Sequence, residues 1–161
     1  MKKYDVRKIQ PNESVAIDTT IEIAMPKGFN AADTAVAVAG RLRNTGINTF
    51  VLEAQAECRL ETACSRCLQL TEHQLSFHIN ENFVDVEQAA DEDIGFSDYA
   101  IDIFPAVQRN LLLNIPMKPL CNTDCAGLCK QCGKNLNEGG CDCEGEIVNE
   151  QFRQLLQHFS D

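Results

Sequence analysis

The stretch TFVLEAQAECRLE, residues 49–61, alternates without a break: Phe50, Leu52, Ala54, Ala56, Cys58 and Leu60 fall on one side, and Glu53, Gln55, Glu57, Arg59 and Glu61 on the other. A period of two marks a strand with one buried face, because successive side chains of extended backbone point to opposite faces. Upstream, AVAVAGRLR reads as a second strand, joined to the first by NTGIN, a glycine-containing hairpin signal. Downstream, QLSFHINENF alternates again with Leu75, Phe77, Ile79 and Phe83 inward, and SVAIDTTIEIA near the N-terminus adds a fourth strand. Later in the chain, IDIFPAVQRNLLLNIP places Ile103, Val107, Leu111 and Leu112 or Ile115 near helical spacing, with Asp102 as N-cap and Pro116 as stop. The segment EIVNEQFRQLLQHFS repeats the helical pattern through Ile147, Phe152, Leu155, Leu156 and Phe159.

With 161 residues the chain can bury a core without cross-links. No run of eighteen apolar residues occurs and no apolar stretch follows the basic start, so neither a membrane span nor a signal peptide is expected, and the cytoplasm is the expected location. The formal charge is 14 minus 24, or −10, which argues against broad electrostatic capture of nucleic acid. Eight of the acids lie between Glu81 and Asp102, where there is no Lys or Arg. The stretch from Val84 to Tyr99 lacks both periodicities and is expected to be a solvated or partly disordered loop.

Nine cysteines in a reducing compartment stay thiols, so close spacing points to metal or redox chemistry. They fall as CxxC at Cys64 and Cys67, CxxxC at Cys121 and Cys125, CxxC at Cys129 and Cys132, and CxC at Cys141 and Cys143, with Cys58 apart. In CKQCG the two thiolates can turn toward one ion, and Gly133 permits the left-handed turn that follows. The polar excursion GKNLNEGG can then return CDC to the same ion. Cys129, Cys132, Cys141 and Cys143 therefore form the first expected zinc site. Cys121 and Cys125 exceed what that site needs, and the sequence offers them Cys64 and Cys67, at a strand junction more than fifty residues away. A second site results, whose closure of a long loop metal binding would stabilise; free thiols are the alternative for these four. Two closed four-thiolate shells imply two structural ions per chain and leave no position for water. Cys58, in phase with the apolar face, is expected in the core. His73, His78 and His158 are expected at the surface.

The fold class expected is α+β: an antiparallel β-sheet or partial barrel, a helix after an acidic loop, a Cys-rich zinc knuckle and a C-terminal helix. Residues 1–115 form the expected β-rich domain, and residues 116–161 the Cys-rich segment with the final helix packed on it.

The residues that carry the metal argument also carry a likeness. CSRCL after a strand, then IDIFPAVQRNLLLNIPMKPLC, then CAGLCKQCGKNLNEGGCDC, resembles the YceD-type large ribosomal RNA subunit accumulation protein family over residues 35–143. The matching positions are Cys64, Arg66 and Cys67, then Pro116, Pro119 and Cys121, then the cysteines from Cys125 to Cys143. Lys130 stands where such sequences often have proline, and VQRN replaces an acidic pair in the helix. The resemblance implies a role in accumulation or processing of large-subunit ribosomal RNA during ribosome assembly, with no established catalytic reaction.

Partners implied are ribosomal RNA or large-subunit ribosomal proteins, with neither membrane nor small-molecule substrate. Arg66, Lys118, Lys130 and Lys134 around the metal loops are the candidate contacts. Arg41, Arg43 and Arg59 are expected at one sheet end, and Lys2, Lys3, Arg7 and Lys8 crowd the N-terminus. A zinc–thiolate redox switch or redox-regulated chaperone is the alternative function. No catalytic residue is expected: there is no Ser-His-Asp arrangement, no phosphate-binding glycine loop, and no His or carboxylate spaced to open a zinc site.

Overall fold

The computed structural model describes residues 3–25, 33–90 and 93–143. The helix expected over residues 146–160 lies outside them. The chain divides into two compact units, Met1–Thr62 with Thr71–Met117, and Ala63–Leu70 with Lys118–Asp161.

In the first unit, β2 (Ser14–Ala24), β3 (Asp33–Gly46), β4 (Thr49–Ala63), β5 (Leu70–Asp85) and β6 (Ile94–Phe96) form a five-stranded sheet in that order. β2 and β3 pair antiparallel from Ser14 opposite Arg43 to Ala24 opposite Asp33. β3 and β4 pair antiparallel from Val36 opposite Cys58 to Asn44 opposite Phe50, with a register shift between Asn44 and Gly46 just before the turn. That turn is the expected hairpin, and Asn48 takes the left-handed conformation it requires, φ 53°. Between β4 and β5 the side chains of Gln55 and Ser76 bond, as do those of Arg59 and Glu72. A step forward on one strand is thus a step back on the other, so this pair is antiparallel too. A separate two-stranded antiparallel ribbon joins β1 (Lys3–Asp5) to β7 (Ala100–Asp102).

The alternation decides the core. Ile17, Ile23, Val36, Val38, Leu42, Leu52, Ala56, Ile79 and Phe83 are almost fully buried on the inward face, and Cys58 lies among them as a small apolar residue. Each large apolar side chain so placed contributes on the order of 2 kcal/mol. The helix α1 (Phe104–Asn114) buries Ala106, Val107 and Leu111 in the same core. Ile115 is half-buried while Leu112 is exposed, so Ile115 closes its apolar face.

Two expectations need correction. Ile103, not Asp102, occupies the N-cap of α1; Asp102 sits one step earlier and still accepts from Phe104 N–H at 3.0 Å. The proline at the helix start moves the boundary, because its ring fixes the first-turn backbone. The acidic stretch, moreover, is not all loop. Ile94–Phe96 adds to β5 as a parallel strand, Phe83 opposite Ile94, and the buried Phe96 ring meets Phe50 edge-on at 5.6 Å. Three residues are too few to show a period, and one well-placed aromatic suffices to anchor them.

The cation and amide of VQRN have a structural task. The Arg109 guanidinium donates to Glu81, whose Oε1 also accepts from Asn110 Nδ2 at 2.5 Å, tying α1 to β5.

Gly40, opposite Ala54, sits where the neighbouring strand leaves no room for a side chain. An added Cβ would stand 2.2 Å from the Glu53 carbonyl oxygen and 2.5 Å from Ala54 Cα. Both neighbours are backbone, so relief requires the strands to part. Gly40→Ala is expected to destabilise the fold by about 2 kcal/mol or more, read as a lower urea midpoint; an unchanged midpoint would contradict this packing.

Candidate metal centres

Within the second unit, β4 ends at Ala63 and the chain turns back into β5 through Cys64–Gln69. The Sγ atoms of Cys64 and Cys125 lie 3.8 Å apart and those of Cys67 and Cys121 3.6 Å apart, and all four sulfurs fall within 4.8 Å of one another. Four sulfurs at about 2.3 Å from a tetrahedral zinc would sit about 3.8 Å apart, whereas a disulfide needs about 2.0 Å. The spacing fits an ion, and all nine cysteines are free thiols. Cys129, Cys132, Cys141 and Cys143 form a second quartet with the same 4.8 Å limit. Among the described residues these are the groupings of three or more His, Cys, Asp or Glu that could hold a metal, and neither contains a nitrogen or carboxylate donor.

The two CxxC loops have one construction. The N–H two residues after the first cysteine donates to its sulfur: Arg66 to Cys64 at 3.4 Å, Gln131 to Cys129 at 3.4 Å. The N–H four residues on donates to its carbonyl: Leu68 to Cys64 and Gly133 to Cys129, both at 2.9 Å. That fourth residue is left-handed in each, φ 62° at Leu68 and 74° at Gly133. The first cysteine's own N–H then bonds to Gln69 O in one loop and Lys134 O in the other, both at 2.8 Å. Leucine in this conformation costs about 1 kcal/mol that glycine avoids.

The quartets differ in exposure. Cys64, Cys67 and Cys125 are buried with Leu120 and Leu128 against them, while Cys132 and Cys143 are exposed. Inward-facing N–H groups select which sulfurs ionise. The backbone N–H groups of Cys67, Arg66 and Cys121 bring the Cys64 pKa down to about 6, and those of Cys132 and Gln131, with the Cys141 thiol, bring Cys129 to about 6. Burial works against the Cys125 thiolate, yet the Asn137 amide and Gly127 N–H hold its pKa below the ordinary value. Cys121 is pushed up to about 12 by Cys125 and by burial, and Cys143 to about 12 by Cys132 and by burial, since neighbouring thiolates resist further charge.

Of the expected contact residues, Arg66 donates from Nη1 to the Cys125 carbonyl at 2.9 Å, and Lys134 Nζ to the Gly140 carbonyl at 2.6 Å. Both therefore brace the metal loops. Lys118 and Lys130 are exposed and make no hydrogen bond or ion pair among the described residues. Arg41 and Arg43 share Glu53, whereas Arg59 pairs with Glu72 six positions further along β4 than Glu53. At about 3.3 Å per residue these arginines do not share one sheet end. His78 is exposed as expected; His73, expected at the surface, is half-buried with an Nε2 that has no partner among the described residues; His158 lies outside them. Sequence reasoning overlooked Asn137, whose Nδ2 donates to Cys125 Sγ at 3.3 Å, and Asn122, which approaches Cys121 Sγ at 3.7 Å. Their signal was an amide side chain beside or between cysteines. No helix among the described residues is long and apolar enough to cross a membrane.

Residues 52–157 match the family described as Large ribosomal RNA subunit accumulation protein YceD. Uncharacterized proteins of Mycobacterium tuberculosis and Mycobacterium bovis are 33% identical over 79 residues, 45% of this chain and 38% of theirs. The chloroplastic homologue 1 of the YCED large ribosomal RNA subunit accumulation protein in Arabidopsis thaliana is 39% identical over 55 residues, 34% of this chain and 17% of its own. The matched segments thus span well under two thirds of these relatives. No solved structure matches the chain.

The pKa pattern fixes the sign of a pH dependence. Cys121 and Cys143, held up at about 12, still carry protons at neutral pH and must lose them to join an ion. Metal uptake therefore releases protons, and affinity rises with pH. Chelator competition from about pH 6 to about pH 8 is expected to show progressively tighter zinc binding with acidification of a weakly buffered sample; a flat profile would contradict it.

Proposed function

The chain belongs to the YceD family of large ribosomal RNA subunit accumulation proteins, and from that membership we propose a non-catalytic factor that acts in the cytoplasm. It supports accumulation or processing of large-subunit ribosomal RNA during ribosome assembly, on a framework of two structural zinc ions. The observation that carries this reading is that the matched region, residues 52–157, includes all nine cysteines and so both quartets. All-sulfur donor sets suit zinc in a closed tetrahedral site. When bound, each ion supplies a cross-link and neutralises part of the thiolate charge. Cys64, Cys67, Cys121 and Cys125 hold one, and Cys129, Cys132, Cys141 and Cys143 the other.

Charge bears on the partner. Residues 63–70 and 118–143 carry the cations Arg66, Lys118, Lys130 and Lys134 against the acids Asp124, Glu138 and Asp142. That is +1 from side chains, and two loaded four-thiolate sites add −4, giving about −3. Such a segment favours a basic large-subunit ribosomal protein, with direct RNA contact left to Lys118 and Lys130.

Depletion of the protein, followed by ribosome sedimentation and quantification of both ribosomal RNAs, tests the reading. The large-subunit RNA and its particle are expected to fall relative to the small subunit. An unchanged ratio would overturn the proposal.

A redox switch is the second reading, favoured by the exposure of Cys132 and Cys143. Peroxide would oxidise paired thiolates to a disulfide, itself reduced to water, and free the ion. Under that reading mild peroxide is expected to release about one zinc per chain and change function together; retention of both ions sinks it.

A further inference from the structure

One hydrogen bond crosses from one metal loop to the other quartet. Asn137 lies in the excursion between Cys132 and Cys141, ligand positions of the exposed quartet, yet its Nδ2 donates to Cys125 Sγ of the buried quartet at 3.3 Å. The amide's orientation is fixed, because Asn137 Oδ1 accepts from Ala126 N–H at 2.8 Å and leaves Nδ2 facing the sulfur. The surrounding backbone lays the excursion along the chain that leads out of the buried quartet. Leu136 N–H donates to Gly127 O, Cys129 N–H donates to Lys134 O, both at 2.8 Å, and Leu128 and Asn135 form a bridge.

What closes this excursion is the exposed quartet itself. Gly133, Gly139 and Gly140 stand at its ends, and the first two have positive φ, 74° and 122°. Glycine loses more freedom on ordering than any other residue, so a strap with glycine ends is costly to hold in place. With the sulfurs of Cys129, Cys132, Cys141 and Cys143 drawn onto one ion, that ordering is already done.

We propose that Asn137 couples the two quartets, so that an ion held by Cys129, Cys132, Cys141 and Cys143 raises the affinity of Cys64, Cys67, Cys121 and Cys125 for theirs. Cys125 is 3% exposed with the excursion in place, so while the strap is ordered the amide, and not bulk water, donates to its sulfur. The ion at the exposed quartet places the donor, and the donor favours the ligand at the buried one. Linkage requires the reverse effect to be equal: the buried ion tightens the exposed one by the same factor. The inference rests on the metal-site reading above and adds order and cooperativity to it.

Zinc competition against a chelator of graded strength, with cobalt absorption to report the sulfur shell, tests the coupling in the full chain. Asn137→Ala is expected to lower the affinity of the buried quartet about tenfold, the lower end of what loss of such an outer partner costs. Cys132→Ser, which disables the exposed quartet, is expected to lower it comparably, and the double variant to fall no further than either. Asn137→Asp, which turns a carboxylate oxygen toward the sulfur, falls further than Asn137→Ala. Asn137→Ala keeps all eight ligand cysteines, so it decides the matter even where Cys132→Ser disturbs folding: in it the affinity of each quartet no longer depends on whether the other is loaded, whereas in the unaltered chain each loaded quartet tightens the other about tenfold. Unchanged affinity of the buried quartet in both single variants, or a dependence of one quartet on the other that persists in Asn137→Ala, overturns the coupling. An unaltered chain that takes up no metal overturns instead the metal-site reading beneath it.

Discussion

The convergence of Cys64 and Cys67 with Cys121 and Cys125 is the constraint on which the cysteine-rich unit depends. Cys64 and Cys125 are 61 positions apart in sequence and 3.8 Å apart at sulfur. The apolar surface around them is small, limited among the described residues to the cysteines themselves with Leu120 and Leu128. Burial of that extent offsets little of the entropy of fixing two distant segments. Four clustered thiols, three of them buried, also resist sharing negative charge, as the elevated Cys121 shows. An ion answers both difficulties, since it cross-links the segments and supplies the opposing charge.

The same constraint accounts for the polar residues nearby. Arg66 caps the Cys125 carbonyl, Ser65 N–H bonds to the Pro119 carbonyl at 2.8 Å, and Gly127 leaves room for the Arg66 backbone, 3.3 Å from where a Cβ would stand. A cation that reads in sequence as a surface contact thus completes the loop that presents the sulfurs. Lys134 does the equivalent in the other loop, through Gly140. The charge left for a partner is correspondingly small, and two four-thiolate sites, once loaded, would make it negative.

Much of the sheet was legible because burial on one face writes a period of two into β4 and β5, and NTGIN marks the turn before β4. The grouping of the cysteines into two quartets was legible from number and spacing, since four sulfurs fill a tetrahedral shell and six in one segment exceed it. The strand at Ile94–Phe96 was hidden, because its identity rests on Phe96 meeting Phe50, a contact that no local pattern announces. The likeness of the two CxxC loops was masked by Leu68, a residue that sequence reasoning does not place at positive φ. Asn137 was hidden differently: in GKNLNEGG it looks like any loop amide, and only the backbone strap reveals which sulfur it faces.

The central claim is that two all-thiolate sites organise the cysteine-rich unit. Zinc-edge X-ray absorption on the purified full-length protein, with the metal counted on the same sample, reads it directly. The account predicts two ions per chain, each with four sulfurs at about 2.3 Å and no nitrogen or oxygen in the shell. One ion per chain, or a shell containing nitrogen or oxygen, would contradict it.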